Sequence, residues 1–165
     1  MIHEERGKAN SIEVFPDNCR GCRLCEMACS FRHEQESSTT KSRIKILKDN
    51  EWAFDCPLLC IQCAEAPCID SCPTRALFRD GATGEVVLEA KDCTGCEACI
   101  AACPIGAPVL DKDSNIIFKC DLCSGDPECV KWCSNGALVL KEADLDSPAR
   151  EAYMIKTAQC LQTIS

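Results

Sequence analysis

Sixteen of the eighteen cysteines in this 165-residue chain fall into four tight groups. The first is Cys19-x2-Cys22-x2-Cys25-x3-Cys29, and the third, Cys93-x2-Cys96-x2-Cys99-x3-Cys103, repeats its spacing. The second is Cys60-x2-Cys63-x4-Cys68-x3-Cys72, and the fourth, Cys120-x2-Cys123-x5-Cys129-x3-Cys133, nearly repeats that one. Structural zinc takes pairs of ligands a dozen or more residues apart, often with histidine. Triplets at three-residue intervals suit a single tetrahedral ion poorly, and the chain has only two His. An iron–sulfur cubane offers four irons, each needing one more ligand. Three cysteines at i, i+3 and i+6 wrap a loop around one cube and cap three of them. The spacing therefore predicts four [4Fe–4S] clusters.

In each group the fourth cysteine lies four residues beyond the third and points away from its cube. In bacterial two-cluster ferredoxins that cysteine ligates the other cluster and precedes a proline. Here Cys72 precedes Pro73 and Cys103 precedes Pro104, whereas Ser30 and Ser134 hold that place in the first and fourth groups. The prolines mark the second and third groups as a matched pair. The A-B-A-B order of spacings reads as an internal duplication, which by itself suggests first with second. The duplicated units differ mainly in one longer connection, residues 30–55.

The elements that position these groups are short. Arg43-Ile44-Lys45-Ile46-Leu47 alternates polar and apolar. Ala76–Phe78 and Glu85–Leu88 flank Asp80-Gly81-Ala82-Thr83-Gly84, and Val109-Leu110 and Ile116–Phe118 flank Asp111–Asn115; both read as hairpins. Ala137–Leu140 reads as a closing strand. Each cysteine group reads as a loop running into a single helical turn. No stretch has the apolar periodicity of a conventional core, so the clusters are expected to replace it. In the tail, Ser147 as N-cap and Pro148 at the first position start a helix over 148–162, with Ala152, Ile155, Ala158 and Leu161, or Met154 and Ile155, as a weak apolar stripe.

The formal net charge is -8 with cysteine counted neutral, and each cluster with its four thiolates adds about -2. Such a chain repels phosphate backbones, which argues against nucleic acid as a partner. Arg20, Arg23, Lys91, Lys119 and Lys131 lie within two residues of a proposed ligand. They either relieve the self-repulsion or are ordinary solvated charges. A cysteine content this high fits either a secreted disulfide scaffold or a metal-rich intracellular protein. No export signal is visible at the start and no apolar run approaches the roughly 20 residues of a membrane span. The expectation is a cytoplasmic protein with reduced thiols and no membrane span.

Four such groups in one short chain resemble the four-cluster electron-transfer subunits of complex iron–sulfur oxidoreductases, the beta subunits of DMSO reductase, formate dehydrogenase and polysulfide reductase. The resemblance covers residues 11–141. The segments Cys-Arg-Gly-Cys-Arg-Leu-Cys-Glu-Met-Ala-Cys-Ser (19–30) and Lys-Cys-Asp-Leu-Cys-Ser-Gly-Asp-Pro-Glu-Cys-Val-Lys-Trp-Cys (119–133) are similar to the shorter subunits that serve tungsten aldehyde oxidoreductases, class II benzoyl-CoA reductases and CO dehydrogenase. The family pairs first group with fourth and second with third. Carried over, this implies one cluster on Cys19, Cys22, Cys25 and Cys133 and its partner on Cys120, Cys123, Cys129 and Cys29. A third is implied on Cys60, Cys63, Cys68 and Cys103, and a fourth on Cys93, Cys96, Cys99 and Cys72. The implied fold is α+β: two nested two-cluster ferredoxin-like lobes with short hairpins and short helices. The inner lobe spans about 52–118 and the outer 11–51 plus 119–145, followed by a helical tail at 146–165.

With every iron ligated by protein, such clusters only gain and lose single electrons, so the chain is expected to be non-catalytic. The resemblance implies a catalytic partner, a tungsten- or molybdenum-pterin oxidoreductase, with a flavin subunit or further copies of the chain as other partner classes. The alternative is a free polyferredoxin that shuttles between enzymes. Cys56-x3-Cys60-x2-Cys63 matches radical SAM spacing, but that chemistry needs an iron left open, and Cys68 and Cys103 would close the site. Cys56 then reads as a buried thiol beside a cluster and Cys160 as a plain helix thiol. His3 and His33 read as surface residues, Trp132 either as a small core filler or as a residue that shields a cluster or faces a partner, and Trp52 has no discriminating context. No nucleophile–base arrangement, GxGxxG or phosphate loop is present.

Overall fold

A computed structural model of the chain describes residues 9–49, 54–143 and 148–164. His3, Trp52, Leu145 and Ser147 lie outside the described residues, as does the side chain of Cys160. Among the described residues, eight strands form four two-stranded antiparallel pairs. The strand β1 (Ala9–Val14) precedes the first cysteine group and β8 (Leu138–Ala143) follows the fourth. The two pair from Ala9↔Ala143 to Val14↔Leu138. Between them run β2 (Lys45–Asp49) with β3 (Phe54–Leu58), β4 (Leu77–Arg79) with β5 (Val86–Leu88), and β6 (Val109–Asp111) with β7 (Ile116–Phe118). Both expected hairpins and the closing strand are present. The partners β1 and β3 lack a strong alternating signal and are seen only through their pairing.

Each cysteine group leads into a helix: α1 (Leu24–Glu34), α2 (Pro67–Asp70), α3 (Ala98–Ala102) and α4 (Glu128–Lys131). The last three are single turns, as the spacing predicts. The first runs 11 residues, which corrects the expectation of one turn. It continues because no Gly or Pro interrupts residues 24–34, and it ends where Gln35 turns left-handed and returns its N–H to the Phe31 carbonyl at 3.1 Å. Cys25 and Cys29 lie one turn apart on its buried face, while Leu24, Met27 and Phe31 are exposed.

The expectation that clusters replace a conventional core is corrected too. Ile12, Ile44, Ile46, Leu58, Leu59, Ile61, Ile105, Leu122 and Leu138 form one buried cluster together with Cys25, Cys29 and Cys129. Ala66, Leu77, Val86, Cys99 and Ile117 form a second. Each fully buried Ile, Leu or Val stabilises by about 1.5–3 kcal/mol relative to exposure. Periodicity missed this core because each strand or turn contributes only one or two residues to it.

The tail helix α5 (Pro148–Ile164) packs against β1, β2 and β3 of the same chain. Its buried face is Arg150, Tyr153 and Thr157, not the Ala152 and Ile155 stripe; Ile155 is 54% exposed. Polar anchors place the helix instead. The Tyr153 hydroxyl donates to the Pro57 carbonyl, Arg150 donates to the Gln62 carbonyl at 2.9 Å, and Lys156 pairs with Asp17 at 2.9 Å.

Candidate functional site

The four cysteine loops share one backbone device. The residue two beyond the first cysteine of each group has a positive φ: Gly21 (61°), Gln62 (55°), Gly95 (68°) and Leu122 (54°). For a non-glycine residue this conformation costs about 1–2 kcal/mol. It turns the amide back toward the preceding cysteine: Gly21 N–H bonds the Cys19 sulfur and Leu122 N–H bonds that of Cys120. Such left-handed turns build the N–H-lined concavities that hold phosphates and iron–sulfur groups. Left-handed residues also open three of the helices, Arg23 before α1, Ala66 before α2 and Glu97 before α3. Other amides reach sulfur as well, among them Arg43 N–H to Cys29 at 3.3 Å and Ala107 N–H to Cys103 at 3.4 Å.

The structure brings together cysteines from distant parts of the chain. Cys19, Cys22, Cys25 and Cys133 line one small, largely apolar cavity of about 20 Å³. Cys60, Cys63, Cys68 and Cys103 line another of about 20 Å³. Cys120, Cys123 and Cys129 each lie within electrostatic reach of Cys29. Cys99 lies within reach of Cys93 and Cys96, and Cys72 packs in the same buried cluster as Cys93 and Cys99. All cysteines whose side chains are described are free thiols.

Electrostatic contacts also run between the sets. Cys99 faces Cys68, Cys120 faces Cys60, and Cys129 faces Cys25. The sets therefore follow one another in a line, from Cys93–Cys99 through Cys60–Cys68 and Cys120–Cys129 to Cys19–Cys25. At the two ends, Cys96 and Cys22 are exposed.

Burial pushes the Cys25 thiol up to about 12 and the Cys63 and Cys99 thiols to about 11. Burial likewise raises Cys120 and Cys129. Thiolates crowded into low dielectric are costly unless a cationic core neutralises them. Cys72 is the exception. Burial raises it, but the Leu77, Ala76 and Thr74 amides and the Thr74 hydroxyl outweigh that and lower its pKa. Free thiols in fours, apolar walls and inward amides fit a [4Fe–4S] core, whose iron takes four thiolates and whose sulfides accept N–H bonds.

Three residues differ from their sequence expectation. His33 is no plain surface residue: its Nε2 lies 3.5 Å from Cys123 Sγ and 3.4 Å from Asp121 Oδ1. Desolvation, helped by Arg43, lowers its pKa against the pull of Asp121. Trp132 is 57% exposed, not core filler. It borders the Cys19–Cys133 cavity with Arg20 and Arg23. Lys119 is not solvated: it is buried, donating to the Val86 and Cys120 carbonyls. Arg20, Lys91 and Lys131 are exposed as ordinary charges. Cys56 is fully buried, as expected, with its sulfur 3.9 Å from the Thr157 hydroxyl. Nothing in its spacing announced the buried cationic pair Lys119 and Arg150.

Comparison with known proteins gives matches over all four groups. Residues 50–143 match a model described as a 4Fe-4S dicluster domain, and residues 16–32 match a 4Fe-4S binding domain. Over 122 residues the chain is 41% identical to the polyferredoxin-like subunit of aliphatic sulfonate oxidoreductase from Pyrococcus furiosus, covering 74% of this chain and 70% of that one. It is 37% identical over 136 residues to the beta subunit of NADH-dependent phenylglyoxylate dehydrogenase from Aromatoleum evansii; the match covers 80% of this chain but only 30% of that one. Among solved structures, a chain of the active-site complex BamBC of benzoyl coenzyme A reductase as isolated aligns with a TM-score of 0.50. It is 27% identical, and the alignment covers 94% of this chain and 90% of that one.

Proposed function

The chain belongs to the 4Fe-4S dicluster domain family, and on that premise we propose that it is a four-cluster electron-transfer subunit of an oxidoreductase complex. The observation that carries this reading is the line of four cysteine sets with an exposed cysteine at each end. Clusters in such a line exchange single electrons along it and have no open iron for a substrate. The ligand sets are those of the nested pairing, with Cys133 completing the first, Cys29 the second, Cys103 the third and Cys72 the fourth. The free polyferredoxin is the competing reading.

The proposed partner is a catalytic subunit bearing tungsten or molybdenum in a pterin. Support comes from relatives whose names place them in oxidoreductase complexes, among them the Pyrococcus furiosus subunit. No helix among the described residues is long and apolar enough to cross a membrane. A cytoplasmic compartment that keeps thiols reduced suits this chemistry. The test is anaerobic purification with its native mass and metal content. The reading expects about sixteen iron and sixteen acid-labile sulfide per chain, with stoichiometric co-purification of a larger subunit. About twelve iron would remove one site, and zinc without sulfide would sink the reading. A monomeric native mass with full iron would favour the free shuttle.

A further inference from the structure

The loop Cys60–Ala64 is held by cations arriving from separate parts of the chain. Arg150, on α5, donates to the Gln62 carbonyl at 2.9 Å, and its side chain is buried. Arg79, on β4, donates to the Cys63 carbonyl at 2.7 Å and the Ala64 carbonyl at 2.9 Å. Lys119 is 5% exposed and lines the same cavity as Cys60, Cys63, Cys68 and Cys103. It donates to the Val86 carbonyl at 2.5 Å and to the Cys120 carbonyl at 2.8 Å. Lys119 acts on Cys68 and on Cys120, and Arg150 acts on Cys63.

The neighbouring sets have a different surround. Asp55 faces Cys19 and pairs with Lys48 at 3.7 Å, and the buried Glu26 faces Cys25 and pairs with Arg23 at 3.7 Å, so carboxylate and cation offset each other there. Asp121 and Arg32 oppose each other at Cys123, and Lys45 faces Cys29. Carboxylates near the Cys60 loop include Glu65, which is exposed, and Glu85, which faces Lys119, Asp121 and Asp80 and whose pKa burial raises. A one-electron reduction adds a negative charge without a proton. In a poorly screened interior a nearby fixed cation favours the reduced form and a carboxylate opposes it.

Resting on the four-cluster reading above, we propose that Arg79, Lys119 and Arg150 make the Cys60, Cys63, Cys68 and Cys103 site the highest-potential station of the line. An electron delivered at either end by a reduced partner centre comes to rest there, one position in from the Cys96 end. The tail helix, through Arg150, is thereby part of the electronic design.

The test is an anaerobic redox titration of the full, cluster-loaded chain, followed by electron paramagnetic resonance. The signal that appears first on reduction should be the one whose spectrum Cys68→Ser alters. Arg150→Gln and Arg79→Gln keep a hydrogen-bond donor and remove the charge. Each should lower the reduced-to-oxidised ratio of that first signal tenfold at fixed potential, a shift of about 59 mV, while Arg150→Lys restores it. Lys91→Gln, at an exposed lysine, should leave it unmoved. Should Arg150→Gln lose iron, Arg79→Gln at the half-buried site decides alone. The inference is overturned if Cys68→Ser alters a later signal, if the Gln variants keep iron without a shift, or if Arg150→Lys shifts as Gln does. About twelve iron or fewer in the unaltered chain would overturn the four-cluster reading instead.

Discussion

The Tyr153 hydroxyl donates to the Pro57 carbonyl at 2.8 Å and accepts from the Leu59 amide at 3.4 Å. This pair spans 96 residues and clamps α5 onto the strand that leads into Cys60. The tail is thus a brace in its own chain. Its buried face packs on β1, β2 and β3 of the same chain.

Tyr153→Phe should destabilise the loaded chain by about 1 kcal/mol, the net worth of a buried hydrogen bond, since Cys56 Sγ remains as a weak donor to the Pro57 carbonyl at 3.8 Å. Truncation after residue 145 should do more and lower the iron content. Denaturation midpoints and iron assays check both. An unchanged midpoint in Tyr153→Phe would show that the clamp contributes nothing.

Cys103→Ser is expected to damage the site that includes Cys60, Cys63 and Cys68, whose cavity Cys103 shares, and to spare the one at Cys93, Cys96 and Cys99. Oxygen is a poorer ligand than thiolate for these irons. Mössbauer or paramagnetic resonance spectra of the variant distinguish the sites. Damage at Cys93 instead would refute the crossed pairing.

Gly21 sits at φ 61°, and a Cβ there would run into the Asp55 carboxylate. Gly21→Ala should therefore cost the left-handed penalty of about 1–2 kcal/mol and in addition displace Asp55. Gly106, with φ 60° and open space around it, is the control that carries the backbone penalty alone. Equal losses in the two variants would show that the Asp55 contact is slack.

Burial raises the Glu85 carboxyl pKa, with Lys119 pulling the other way. The folded state therefore holds the proton longer than the unfolded chain. Its contribution is fully present below the unfolded value, near 4.3, and is lost as pH rises through the folded one. Glu85→Gln should gain on the parent chain between pH 4 and pH 7. Denaturant midpoints at the two pH values measure it; a constant difference would mean the charge is compensated by Lys119.

The cysteine spacing alone determined the chemistry, because the number and interval of thiolates are local requirements of a cubane. It also revealed two hairpins and the tail helix, whose turn and cap residues lie next to each other in the chain. The first helix was longer than one turn because nothing local stops it before Gln35. What only the tertiary structure decided is who meets whom. The strand β1 becomes visible when it pairs with β8 across the chain, and the buried face of α5 is set by the Pro57 and Gln62 carbonyls. Cys29 meets Cys120, and Cys60 faces the same Cys120, so the order of the line is a product of folding. Lys119 and Arg150 look like ordinary surface charges in sequence. Burial is a property of the surrounding chain, and a charge taken out of water acts on its neighbours far more strongly than one left in it.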